Sequence, residues 1–166
     1  DLHLSIRRQR QMCIRDRVLV GYPTKEEESR IVTEQIKATP AEVRPVVSGD
    51  QILKAREIVH QVYLDEKINK YIIDIVFASR FPGDAGLDSL RGMISYGASP
   101  RASINLALAS RAYAFIKHRG FVIPEDVRAV CHDVMRHRIG LSYEAEAENL
   151  KTDEVITEIL NKVQVP

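Results

Sequence analysis

An all-α domain, a bundle of about six helices with a short strand near its N-terminus, is what three features of the 166-residue sequence predict. Beyond Thr24, apolar residues recur at helical spacing in segment after segment. Capping signals precede most of those segments, and clusters of glycine and proline separate them. Hydrophobic residues make up 45% of the chain, enough for a true core. Aromatic residues are only 6% and tryptophan is absent, so that core is expected to be aliphatic.

The elements follow in chain order. Val18-Leu19-Val20 before Gly21-Tyr22-Pro23 reads as the end of a strand entering a turn. Thr24 and Glu27 form a capping box, each satisfying an amide that the new helix leaves without a partner. That helix is expected to reach about Ala38, with Ile31, Val32 and Ile36 on its buried side. Thr39-Pro40 ends it, and the connection through Pro45 is extended. Ser48 and Gln51 form a second capping box, opening a helix with Ile52, Ala55, Val59 and Val62 at helical spacing. Asp65 caps a third helix, largely buried, with Ile68, Ile72, Ile75 and Val76 as its stripe and Tyr71 and Ile73 widening it. Phe81 to Gly86 is turn material. Ser99-Pro100 then starts an alanine-rich helix (Ala102, Ala107, Ala109, Ala112, Ala114) expected to sit at the centre of the bundle, with Gly120 as its stop. Pro124-Glu125-Asp126 opens a helix to about Arg136 that buries Val127, Val130, Cys131 and Val134. Glu144, Glu146 and Glu148 alternate with alanine as a solvated face. Thr152 opens the last helix, with Val155, Ile156, Ile159, Leu160 and Val163 on its apolar side.

Charge narrows the function. The formal net charge is +1, but residues 1–17 carry a net +3 and leave −2 for the rest. A body of that balance, with no helix presenting a basic face, argues against a nucleic-acid-binding surface. Residues 1–17, DLHLSIRRQRQMCIRDR, lack sustained periodicity. They read as a basic segment foreign to the domain or disordered, either an interaction arm or a translated sequencing adapter. Two cysteines, Cys13 and Cys131, make neither a disulfide framework nor a metal cluster, and reduced cytoplasmic thiols are expected. No apolar run approaches the ~20 residues of a membrane span. The sequence holds no G-x-x-x-x-G-K-[ST] phosphate loop, and no H-E-x-x-H, C-x-x-C or calcium-loop spacing; no metal site is expected.

One position stands out. Ser99 reads as a side-chain cap and Pro100 as the first helical residue, so Arg101 falls in the opening turn. There the helix already carries partial positive charge, and a cation costs a few tenths of a kcal/mol, roughly 0.3–1. The same combination suits a phosphate. A solvated arginine at a helix end is the plain alternative. Arg136 and Arg138 could approach Arg101 and extend an electropositive site, although pairing with acids would account for each of them too.

GYPTKEEE at 21–28, YIIDIVFASR at 71–80, YGASPRA at 96–102, IPEDV at 123–127, RHRI at 136–139 and YEAEAE at 143–148 occur in one order. Together they resemble the C-terminal portion of MoxR-type AAA+ ATPases, in which an αβα nucleotide-binding core is followed by a helical lid. The resemblance implies a lid over 24–166, with 18–23 as the last of the core and its linker. It implies that Arg101 is the sensor 2 residue contacting the terminal phosphates of ATP, with Ser99 and Pro100 aiming it. ATP and Mg2+ would be bound mainly by the core, whose phosphate loop, acidic magnesium motif, polar sensor and arginine finger this sequence lacks. The finger position would fall at Cys13, and Arg17 lies too close to take the role. The family usually has threonine where this chain has Ile123. A ring, expected to be a hexamer, chaperone-like work on client proteins and a partner with a von Willebrand factor A domain are further implications. The competing reading is a free-standing helical interaction module without nucleotide chemistry.

Overall fold

The computed structural model describes residues 17–36 and 44–166. Seven α-helices lie among them: α1 (Lys25–Gln35), α2 (Gly49–Gln61), α3 (Glu66–Arg80), α4 (Pro100–Ile116), α5 (Pro124–Met135), α6 (Tyr143–Ala147) and α7 (Thr152–Lys162). A two-stranded antiparallel ribbon, β1 (Ile94–Tyr96) with β2 (Gly140–Leu141), completes the described elements. The chain is therefore all-α in class: α1 to α5 and α7 are the six helices that periodicity predicts, and α6 is a further short helix where only a solvated acidic face was expected.

The helix starts obey local chemistry. Thr24 and Glu27 close the first capping box, and Ser48 and Gln51 close the second. Asp65 accepts the Lys67 amide at 2.8 Å. At α5, Ile123 offers no capping oxygen, and Asp126 takes over by accepting the Ile123 N–H at 3.0 Å. The same carboxylate, 1% exposed, accepts both terminal nitrogens of Arg119. Burial of Asp126 is tolerable because three donors surround it.

The core is built by α3, α4, α5 and α7. On α3, Ile68, Tyr71, Ile72, Ile75 and Val76 are buried, and on α7, Val155, Ile156, Ile159 and Leu160. Each fully buried side chain of this size contributes about 1.5–3 kcal/mol. Helix α4 packs against α2, α3 and α5, as expected of a central helix. Ala102 and Ala114 are buried on it, and its small side chains let the neighbours close in. Arg128 of α5 donates to the Leu160 carbonyl at 2.5 Å, placing a cation at the C-terminus of α7.

Several expectations fail for identifiable reasons. Ile31, Val32 and Ile36 are 50%, 55% and 78% exposed, and α1 buries nothing. Ile52 is likewise exposed, so the apolar stripes of α1 and the start of α2 have no partner within the described residues. Residues 18–23 form no strand and are exposed; a strand needs a neighbour to receive its hydrogen bonds, and none lies alongside. Helix α4 ends before Gly120: His118 takes the left-handed conformation at φ 57, while the Gly120 carbonyl accepts the Tyr63 amide at 2.9 Å. Glu144 and Glu146 belong to a short helix whose Ala145 is buried, with the acids facing solvent. Ala38, Thr39, Pro40, Cys13 and residues 1–16 generally lie outside the described residues.

Candidate functional site

Arg101 sits in the first turn of α4, exposed, with no hydrogen bond or ion pair to any described residue. Pro100 occupies the first helical position as expected. Ser99 is the extended N-cap residue, but its hydroxyl makes no capping bond; only its carbonyl closes the turn, accepting the Ala102 amide at 2.8 Å. The start of α4 is fixed from elsewhere.

That support comes from the end of α3. Ser79, buried, accepts the Ala98 N–H on its Oγ at 3.0 Å and donates its own proton to the Val76 carbonyl at 2.6 Å. Arg80 donates Nε–H to the Ala98 carbonyl at 2.6 Å, while its guanidinium lies 5.0 Å from the Phe77 ring centroid. Both backbone groups of Ala98 are thus held by adjacent side chains of another helix. Gly97 makes the approach possible: a Cβ there would come within 2.4 Å of the Ser79 carbonyl oxygen. Sequence reasoning did not single out Ser79, Arg80 or Gly97 individually. The FASR and YGAS motifs contained the signal, but their mutual contact is not readable from either one.

The ribbon brings a second arginine toward Arg101. Ile94 pairs with Leu141 and Tyr96 with Gly140, so two residues of β1 advance against one of β2 around Ser95. Such a bulge turns the chain locally. Gly140 admits the Tyr96 ring above it, since a Cβ there would meet the ring at 2.1 Å. Residues 138 and 139 run on beside the turn that leads to Arg101. Arg138, partly buried, is anchored by Nε–H to the Val134 carbonyl at 2.9 Å. Burial and the charge of Arg101 both push its ionisation below the ordinary arginine range.

Arg136 goes elsewhere. Its guanidinium bonds Asp133 at 2.7 Å, Asp153 at 3.0 Å and the Arg17 carbonyl at 2.5 Å, tying α5 to the start of α7. Burial, the largest single influence, lowers its ionisation, but the hydrogen bonds it donates to the two aspartates, together with their charge, hold it above the ordinary arginine range. Of the two arginines in the RHRI motif, Arg136 ties α5 to α7, and Arg138 lies within electrostatic range of Arg101.

An AAA lid domain model matches residues 88–159, from the 3-10 turn at Asp88–Leu90 into α7. Chaperone MoxR1 of Mycobacterium tuberculosis is 36% identical over 92% of this chain and 41% of its own length. The protein MoxR of Paracoccus denitrificans is 43% identical over 50% of this chain and 26% of its own. A crystal structure of a candidate ATPase from Cytophaga hutchinsonii superposes with a TM-score of 0.88 at 38% identity, covering 92% of this chain and 47% of that one. The chain belongs to the MoxR family of AAA+ proteins, of which it carries the lid portion. It spans less than half the length of the MoxR relatives it matches. In this lid, the YGASPRA segment is the start of α4 and RHRI is the turn leading into β2. No helix among the described residues is long and apolar enough to cross a membrane.

Proposed function

We propose that the chain acts as the lid of an ATP-driven, chaperone-like remodelling enzyme, with Arg101 as its sensor 2 residue. The observation that carries this is an exposed guanidinium in the first turn of α4, without a partner among the described residues, three positions after Ala98, whose backbone Ser79 and Arg80 clamp. A cation so placed adds to the helix's own positive end and suits a terminal phosphate. The hold of Ser79 and Arg80 on Ala98 sets the direction of the helix start, and Ser99 and Pro100 carry it on into the first turn. The guanidinium contacts the triphosphate but has less to hold in the diphosphate, so hydrolysis releases the lid and lets it rotate.

In this reading the lid spans 24–166, and 18–23 leads from the nucleotide-binding core. The exposed apolar residues of α1 and α2 support it, because a core packed there would cover them. No three His, Cys, Asp or Glu side chains among the described residues could together hold a metal ion, and Mg2+ is accordingly assigned to the core. A cytoplasmic hexameric ring, client proteins and a von Willebrand factor A partner belong to the same proposal by family analogy. A free-standing interaction module would also expose apolar helix faces, but it gives no reason for an exposed arginine just after the clamped Ala98.

The test is Arg101→Ala in this chain joined to an upstream nucleotide-binding core. ATP turnover is expected to fall about 100-fold, the scale of losing one charge-stabilising donor. Helicity and melting temperature are expected to stay unchanged, since Arg101 holds nothing in the bundle. Unaltered turnover removes the sensor assignment.

A further inference from the structure

We infer that the groove between the end of α3, the turn that follows it and the end of α7 docks an arginine side chain carried on an apolar segment of a partner protein. The inference is independent of the sensor reading of Arg101.

Asp74, Phe77 and Phe81 follow one another at i, i+3 and i+7, which sets them along one side of α3 and its C-cap. Asp84 of the turn, with Lys162 and Gln164 at the end of α7, lines the same groove, about 460 Å3 in volume. That lies within the ~300–1,000 Å3 of ligand clefts and leaves room for a few side chains. Phe77 and Phe81 are each 50% exposed in it, their ring centroids 5.9 Å apart. Covering two such rings removes apolar area from water, so an occupant gains from contact with them.

Charge decides which occupant. Asp74 and Asp84 are exposed, and their carboxylates make no hydrogen bond or ion pair with any described residue. The groove carries these two carboxylates against one ammonium. That ammonium belongs to Lys162, whose chain runs along the turn at Gly86, where a Cβ would lie 3.1 Å from its Cε. The aromatic pair already holds one guanidinium: Arg80 lies 5.0 Å from the Phe77 ring centroid. Among the described residues no cation covers the ring of Phe81. A guanidinium brought by a partner can repeat the Arg80 arrangement there, with unpaired carboxylates in the same groove. Arginine suits this place better than lysine, because its planar fork stacks on a ring while presenting paired donors to a carboxylate. An apolar neighbour on the same segment covers what remains of the two rings.

The experiment titrates acetyl-Leu-Arg-Leu-amide into the 166-residue chain, with aromatic and amide resonances read by NMR. The signals of Phe81, Asp84 and Gln164 are expected to shift together to saturation with one midpoint. The same peptide with citrulline in place of arginine keeps the shape and loses the charge. It should bind roughly tenfold more weakly, the scale of a charged hydrogen bond with its ring contact. Asp74→Asn combined with Asp84→Asn should bring the arginine peptide down to the citrulline level and leave the citrulline peptide as it was. Glu146→Gln, at an exposed acid outside the groove, should change neither. Equal binding of the two peptides to the unsubstituted chain overturns the inference and makes the face a purely apolar one. Absence of any saturable shift overturns it too. So does a shift of the same signals on raising the chain concentration alone, because a second copy then covers the rings. Should the double variant fail to fold, the two peptides on the unsubstituted chain still decide. ATP turnover plays no part in the test, so no outcome bears on Arg101.

Discussion

Cys131 lies fully buried on α5, its sulfur 3.6 Å from Met135 Sδ, and burial pushes its thiol up to about 12. At neutral pH it is therefore protonated and a poor nucleophile. Peptide mass spectrometry of the native chain treated with iodoacetamide should find Cys131 unmodified, and fully modified after denaturation; rapid native labelling would contradict the packing. Glu27 shows the opposite influence. The backbone N–H of Thr24 at 2.8 Å, and then its hydroxyl, hold the Glu27 carboxyl below the ordinary glutamate range. A lowered folded value means stability that is present above the ordinary value and lost as pH falls through the folded one. The 13Cα shifts of α1 should thus lose helical character from about pH 4.5 downward, and Glu27→Gln should flatten that dependence. Both residues were legible in the sequence, Cys131 from its place in an apolar stripe and Glu27 from a three-residue spacing. The pairing of Arg136 was not legible, since nothing in RHRI says that Asp133 and Asp153 are its partners.

The junction of α3, β1 and the start of α4 is the element on which Arg101 depends. Gly97 leaves no room for a side chain against the backbone of Ser79 and Arg80, whereas Gly140 faces only the exposed ring of Tyr96. Gly97→Ala must push two backbones apart and should destabilise the chain by about 1–3 kcal/mol. Gly140→Ala requires only that a surface tyrosine swing aside, a change within about 0.5 kcal/mol. Thermal denaturation of the two variants checks this, and equal melting temperatures would mean that the α3 contact is not a constraint. The sequence pointed to a side-chain cap from Ser99, and the support comes instead from Ser79 and Arg80. Those residues lie 19 and 18 positions from Ala98. A cap is judged from neighbours within one turn, so a substitute supplied by another helix escapes any local reading.

Taken as one body, the chain has a packed helical core at α3, α4, α5 and α7, and apolar faces on α1 and at the start of α2 that have no partner among the described residues. With no phosphate loop in its sequence, the purified 166-residue chain is expected to show no ATP turnover, and measurable hydrolysis in a phosphate-release assay would refute the division of labour proposed above. Helix positions, two capping boxes, the proline starts of α4 and α5 and the placement of Arg101 in an opening turn were all fixed locally. They depend on hydrogen bonds and apolar spacing within a few residues, which the linear order of side chains already contains. Which apolar stripe finds a partner and which arginine ties α5 to the start of α7 depended on segments distant in the chain meeting in space. The reason is physical: burial and Coulomb energy are set by what lies across a contact, and for α1 and Arg136 that information resides in other elements.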